Sequence, residues 1–310
     1  MLSGVFNRLR FSVENLIQKG ISARGENPSY LLGAIAFFFF WILLATGVYL
    51  FFVYKLNIDG AYDSIENLSR KQPWWGGVIR SLHRYAADGL VIATVLHGIR
   101  VLLAGQIRHA RWLAWVSGIV LLGILWGDGI LGYWMVWDDR AQFIALKSAE
   151  FLQFLPGFGS SLPRAFVSRD LVTNFFFLII IALHIVIPFI LLILLLLHVS
   201  RITHPVINPP RRMMISLGLI LVVFSLAVPA LSGARADPTR LPAGLQMDWF
   251  YMAPYPLISG GFSPLNWLWI IPGTILLLAI PWVGAPPKPA VVSLALRRCN
   301  DCKRCWHDCP

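Results

Sequence analysis

Four histidines carry the first chemical signal in this chain. His83 and His97 stand 14 residues apart, and His184 and His198 repeat the same interval. On an α-helix that separation turns about 1400°, within about 40° of four full turns, so each pair shares one face with its members about 21 Å apart along the axis. Imidazole on both axial positions is a ligand set for the iron of a b-type haem, and an apolar interior favours the neutral ring that ligation needs. Two such helices side by side present two His–His pairs, one near each end. A lone histidine in an apolar helix is as readily a satisfied polar residue or a packing donor. Four of them at one repeated interval point to haem.

Glycines repeat that interval independently. Gly33 and Gly47 are 14 apart, as are Gly118 and Gly132. A porphyrin wedged into a helix bundle needs neighbouring backbones to come close at each haem level, and glycine removes the Cβ in the way. Small residues also serve ordinary packing of membrane helices. Arg80 and Arg100 lie three residues beyond His83 and His97, outward of each, where they would meet haem propionates or simply be solvated.

The four cysteines form a second constellation. Cys299, Cys302, Cys305 and Cys309, followed by Pro310, spell C-x₂-C-x₂-C-x₃-C-P. That is the bacterial ferredoxin run, in which three thiolates hold one 4Fe-4S cluster and the fourth belongs to another. Disulfides and zinc are the weaker readings of this spacing on a cytoplasmic tail.

The elements that must position these groups are membrane helices. The chain has 310 residues, 57% of them hydrophobic and 13% charged, with a mean hydropathy of +0.68. Six stretches are apolar and about long enough to cross a bilayer: Leu31 to Tyr54, Leu82 to Leu103, Leu113 to Trp137, Leu171 to Val199, Met213 to Ser232 and Leu265 to Val283. Little is left for a soluble core. The net charge of +11 is explained by basic residues flanking spans and does not require a nucleic-acid partner. Leu2 to Ile21 reads as an amphipathic helix on the membrane surface; it lacks the compact apolar run of a signal peptide.

Six spans put both termini on one side. The loops on that side (1–30, 104–112, 201–212, 286–310) hold 14 Lys and Arg against 10 in the opposite loops (55–82, 138–170, 234–248). The excess leans toward cytoplasmic termini. Asp128 falls inside the third span, where an unpaired charge costs at least about 2.5 kcal/mol, so it is expected to be partnered or functional. His109 and His204 lie near the inner surface; His204 is a candidate hydrogen-bond partner of a quinone there, although ordinary interface histidines are the commoner case.

At this point the chain resembles a known family, the cytochrome b subunit of the cytochrome bc complexes. SLHRYAADGLVIATVLHGIR (81–100) is similar to the family's second helix, ATGVYLFFVY (45–54) to the end of its first, GYWMVWDD (132–139) to the third helix running into the outer-loop helices, and LHIVIPFILLILLLLHVSRI (183–202) to the fourth. The resemblance spans roughly residues 25 to 285. It implies an outer haem held by His83 and His184 and an inner one held by His97 and His198. Tyr30 and Leu31 stand where photosynthetic relatives carry the cysteine of an extra covalent haem, so no c-type haem is expected. Family members oxidise quinol near the outer surface at a Pro-Glu-Trp-Tyr motif. The corresponding residues are Met247-Asp248-Trp249-Phe250, in which Trp249 is retained and Asp248 keeps a carboxylate one methylene shorter. Burial beside a quinone would raise such a carboxyl toward working pH and suit it as a general base. A surface Asp capping a loop is the alternative. Val136 replaces the family's Pro before Trp137.

The expected fold is an all-α membrane protein. It comprises an N-terminal surface helix (1–30), a four-helix di-haem bundle (31–202), two further transmembrane helices carrying a quinol site (203–285), and a basic linker with a cytoplasmic cysteine-rich segment (286–310). The expected function is that of a di-haem cytochrome b in a bacterial-type inner membrane. It would oxidise quinol near Asp248 and Trp249 and pass electrons from outer to inner haem, coupled to the iron–sulfur tail. The expected partners are a homodimeric copy and either a Rieske-type protein, a c-type cytochrome or an iron–sulfur oxidoreductase. The rivals are a di-haem anchor linking a catalytic oxidoreductase to quinone, and a transporter or structural assembly subunit in which the histidine spacing is accidental.

Overall fold

The structure is a computed structural model that describes residues 27–107, 111–153, 173–200, 202, 205–237, 239, 240, 242, 245, 248–252 and 267–283. The expected surface helix Leu2–Ile21, His109, His204, Met247 and all four cysteines lie outside the described residues.

Eight α-helices are described: α1 (Leu32–Val53), α2 (Gly60–Lys71), α3 (Val78–Leu103), α4 (Trp112–Val136), α5 (Asp139–Leu152), α6 (Asn174–Val199), α7 (Arg211–Ala227) and α8 (Trp267–Ala279). A π-helical turn, Pro73–Gly77, leads into α3. Among the described residues the only extended pairing is an isolated bridge between Asp138 and Arg235. The fold is that of an all-α membrane protein. By length and composition, four of the described segments suffice to cross a bilayer: 32–53, 73–103, 112–136 and 174–199. Their outward side chains, such as Phe52, Val48, Ile193 and Leu197, are exposed and apolar, as a lipid-facing surface requires.

Packing pairs the helices. α1 lies along α3 and α4 along α6, while α7 rests on α3 and α8 on α4. Described residues of the 203–285 segment share the core of the bundle. Leu221, Tyr251 and Met252 are buried in one cluster with Ile35, Phe39, Leu90, Leu125 and Leu191. Trp115 Nε1 donates to the Leu277 carbonyl at 2.8 Å, tying α8 to the start of α4.

Two span boundaries differ from expectation for local reasons. The helix of the second span, α3, begins at Val78, four residues before Leu82, because the π turn hands its backbone straight into the helix. The fifth ends at Ala227 and not at Ser232: Pro229 drives the residue before it out of the helical region, and Val228 sits at φ −131°, ψ 82°.

The short helices α2 and α5 lie at the bundle end that holds His83 and His184. α2 connects the C-terminus of α1 to the N-terminus of α3, and α5 follows α4 directly. The α4–α5 corner is made by Trp137 at φ 53°, a left-handed conformation that non-glycine residues seldom adopt. Asp138 holds the corner, its carboxylate accepting from Ala141 N and Gly233 N, each at 2.9 Å. Trp137 is buried against Phe177, with ring centres 5.4 Å apart.

Candidate functional site

The four histidines meet in twos across the bundle. His83 on α3 and His184 on α6 face each other with ring centres 6.3 Å apart and planes inclined at 66°. An iron bound by both Nε2 atoms at about 2.0 Å would set the ring centres about 6 Å apart, so this gap is the size that bis-imidazole ligation asks for. At the other end of the same helices His198 lies near enough to act electrostatically on His97. Among the described residues no three His, Cys, Asp or Glu side chains converge as a metal-ion cage.

Hydrogen bonds decide which ring nitrogen is free. The Thr46 hydroxyl donates to the Ile42 carbonyl at 2.7 Å, so its oxygen accepts from His83 Nδ1 at 2.9 Å. The Ser117 hydroxyl donates to the Ala114 carbonyl at 3.1 Å and accepts from His198 Nδ1 at 2.8 Å. His184 Nδ1 faces two acceptors of Asp128, the backbone carbonyl at 3.1 Å and Oδ1 at 3.0 Å. A carbonyl oxygen only accepts, so Nδ1 carries the proton. When these rings are neutral, Nε2 is left with its lone pair, the state in which imidazole ligates a metal, and the ring orientation is fixed from behind.

The glycines act more locally than backbone approach alone implies. A Cβ built on Gly33 would stand 3.3 Å from His97 Cε1, and on Gly47 3.4 Å from His83 Cε1. On Gly118 it would stand 3.4 Å from His198 Cε1, and on Gly132 3.2 Å from His184 Cε1. Each glycine therefore cradles the imidazole on the helix paired with its own. The ladders match rung for rung because α1 packs on α3 and α4 on α6.

Arg80 is buried and not solvated: Nη1 donates to Ser69 Oγ at 2.6 Å and Nη2 to Ser232 Oγ at 2.8 Å. The hydroxyls fix the guanidinium at the His83 end, joining α2 and the segment after α7 to α3. Arg100 lies over the Tyr30 ring, with Cζ 4.1 Å from its centre.

The expected quinol-site carboxylate differs from its anticipated state. Arg84, next to His83, donates through Nη1 to Asp88 at 2.6 Å and through Nη2 to Tyr133 Oη at 2.8 Å, and Nη2 also pairs with Asp248. Tyr133 Oη donates to Asp248 Oδ2 at 2.9 Å, and the backbone N–H groups of Phe250 and Tyr251 donate to Asp248 Oδ1 at 2.8 and 2.6 Å. Burial alone raises the Asp248 carboxyl, as expected from sequence, but the Arg84 charge, these two N–H groups and the Tyr133 hydroxyl outweigh it. Asp248 is held below its ordinary value as an ion-paired carboxylate. Trp249 is exposed and tilts against Phe250, ring centres 5.5 Å apart. The whole segment lies on α4 because residue 129 is glycine; a Cβ there would enter the Tyr251 ring.

Residues 21–205 match the family model for cytochrome b/b6/petB, well over half of the chain. The chain belongs to the cytochrome b family. Cytochrome b6 of Synechococcus elongatus is 31% identical over 190 residues, which are 59% of this chain and 86% of that protein. Cytochrome b6 of Acaryochloris marina is 30% identical over the same extents. A chain of a hyperthermophilic respiratory Complex III superposes with a TM-score of 0.68 at 18% identity, covering 90% of this chain and 82% of that one, and so shares the fold. This cytochrome b is thus an integral membrane, haem-b electron-transfer subunit. The family implies b-type haem, and the paired imidazoles, their free Nε2 atoms and the glycine cradles fit it. Sequence reasoning had missed Thr46 and Ser117, although each immediately precedes a ladder glycine in the chain.

Proposed function

We propose that this cytochrome b carries two b haems, the outer held by His83 and His184 and the inner by His97 and His198, and exchanges electrons with a quinone pool. The observation that carries the reading is the crossing His83–His184 pair, 6.3 Å apart between ring centres, with Nδ1 of three of the four histidines held by a hydrogen-bond partner. Haem supplies the electron-carrying iron, and the chain fixes the rings that bind it. Arg80 and Arg100, basic and placed outward of the two sites, serve the haem propionates. Quinol is oxidised near the His83 end, where Arg84, Tyr133, Asp248 and Trp249 gather. Asp248 takes a quinol proton once Arg84 turns wholly to Asp88, which it already contacts. Electrons pass through the outer haem to the inner one.

The tail cysteines Cys299, Cys302, Cys305 and Cys309 ligate iron–sulfur clusters, on the strength of their spacing. The subunit works as a homodimer in a bacterial-type inner membrane, its termini cytoplasmic, beside a Rieske-type, c-type or iron–sulfur partner. The test is a reduced-minus-oxidised spectrum with haem and acid-labile sulfide counts on the purified complex. Two b haems per chain, falling to one in His97→Ala, are expected; two haems retained in that variant overturn the ligand assignment. Absent sulfide removes the tail from the route.

A second reading is favoured by the ion pair on Asp248, which holds the expected base in its charged, engaged form. In it the chain is a di-haem anchor linking another oxidoreductase to quinone, without an outer quinol-oxidising site. Quinol-dependent haem reduction unchanged by Asp248→Asn over a pH series would select it.

A further inference from the structure

Asp128 is a buried carboxylate inside a membrane-spanning helix, and haem ligation by itself does not require it. It is 8% exposed on α4, one helical turn before Gly132, and Oδ1 lies 3.0 Å from His184 Nδ1. Among the described residues no lysine or arginine pairs with it; its carboxylate faces His184 Nδ1. The Nδ1 partners of His83 and His198 are hydroxyl oxygens of Thr46 and Ser117, which are neutral. His184 is therefore the one histidine, among the three whose Nδ1 partner is described, that is backed by a carboxylate.

We propose that Asp128 is a positioning residue that lowers the reduction potential of the haem site between His83 and His184. The inference rests on the ligand assignment proposed above. An ionised acceptor draws the Nδ1 proton toward itself and pushes electron density to Nε2, making His184 a stronger donor to the metal. An acceptor carbonyl on the same residue fixes the ring in that orientation. The negative charge also acts in a low-dielectric bundle, where it favours the more oxidised and more positive state of an adjacent iron. Both effects have the same sign, and both act at one end of the bundle only, since the rungs are about 21 Å apart.

The test uses the assembled membrane complex bearing Asp128→Asn, which keeps an acceptor oxygen without charge, and Asp128→Ser, which supplies the kind of acceptor His83 and His198 already have. Haem content, optical redox titration and low-spin EPR spectra are recorded on each. The expected result is two haems per chain, an upward shift of one midpoint potential with the other unmoved, and an altered EPR signal for the same haem. Two haems with neither potential moved, or with both moved equally, overturn the proposal. Should both neutral variants lose a haem, Asp128→Glu must restore it at the lower potential, and failure to do so also overturns it. His184→Ala separates this from the underlying assignment: if that variant keeps both haems, the ligand reading has failed and not merely the role of Asp128.

Discussion

Gly132 on α4 lies against the imidazole of His184 on α6, with only 3.2 Å between an added Cβ and His184 Cε1. That spacing is tighter than nine in ten real Cβ contacts, so the ring must give way to any larger residue. His184 has little freedom to do so, because Asp128 holds Nδ1 from the same helix as the glycine. Gly132→Val is expected to lose the haem at the His83–His184 site and keep the other, lowering haem content from two per chain to one. Pyridine haemochrome quantification checks it.

Ser117 gives a milder test at the opposite rung. Removing its hydroxyl leaves the half-buried His198 ring with only the Ala114 carbonyl as a hydrogen-bond partner, a cost of about 1 kcal/mol. Ser117→Ala is expected to weaken haem retention at the His97–His198 site by about 10–100-fold. Thr46→Val should do the same at the His83–His184 site. Haem loss to an apo-globin acceptor, followed separately for the two spectral components, measures both.

Asp248 should make stability depend on acid. Its folded-state carboxyl is held below the ordinary range by Arg84, the Phe250 and Tyr251 N–H groups and Tyr133 against the opposing effect of burial. A depressed value means the stabilisation is fully present above the unfolded carboxyl's pKa, about 4, and is lost as pH falls through the folded one. Asp248→Asn should cost about 2 kcal/mol at neutral pH, a figure below that of a fully buried pair because Arg84 is 30% exposed. Thermal unfolding in detergent should show the difference between variant and parent shrinking below about pH 4.

Gly129→Ala isolates the loop from the haems. Its methyl would enter the Tyr251 ring, so the 248–252 segment must lift off α4 and carry Asp248 away from Arg84. Haem content should stay at two per chain while quinol-dependent haem reduction falls at least tenfold. Equal losses of haem and of reduction would show instead that the packing of Tyr251 supports the bundle as a whole.

Much of the site was legible in the sequence because a helix converts interval into geometry. His83 with His97, His184 with His198 and the two glycine pairs share a 14-residue period, and any chain with that period on long apolar helices places them on common faces. Which glycine faces which histidine was not legible. It follows from α1 packing on α3 and α4 on α6, and side-chain complementarity between helices chooses those partners. The polar partners behind the rings were equally hidden, since Thr46, Ser117 and Asp128 matter only through contacts 37, 81 and 56 residues away. Burial of Asp248 was anticipated correctly, but its net effect was not. Desolvation can be guessed from an apolar neighbourhood, whereas the opposing charge of Arg84 lies 164 residues away in the chain. Sequence alone determined the four histidines, their spacing and the membrane class; only tertiary structure decided which polar group holds each ring, which ring each glycine cradles, and that Asp248 meets an arginine, because those are relations between helices and no helix encodes its neighbour's register.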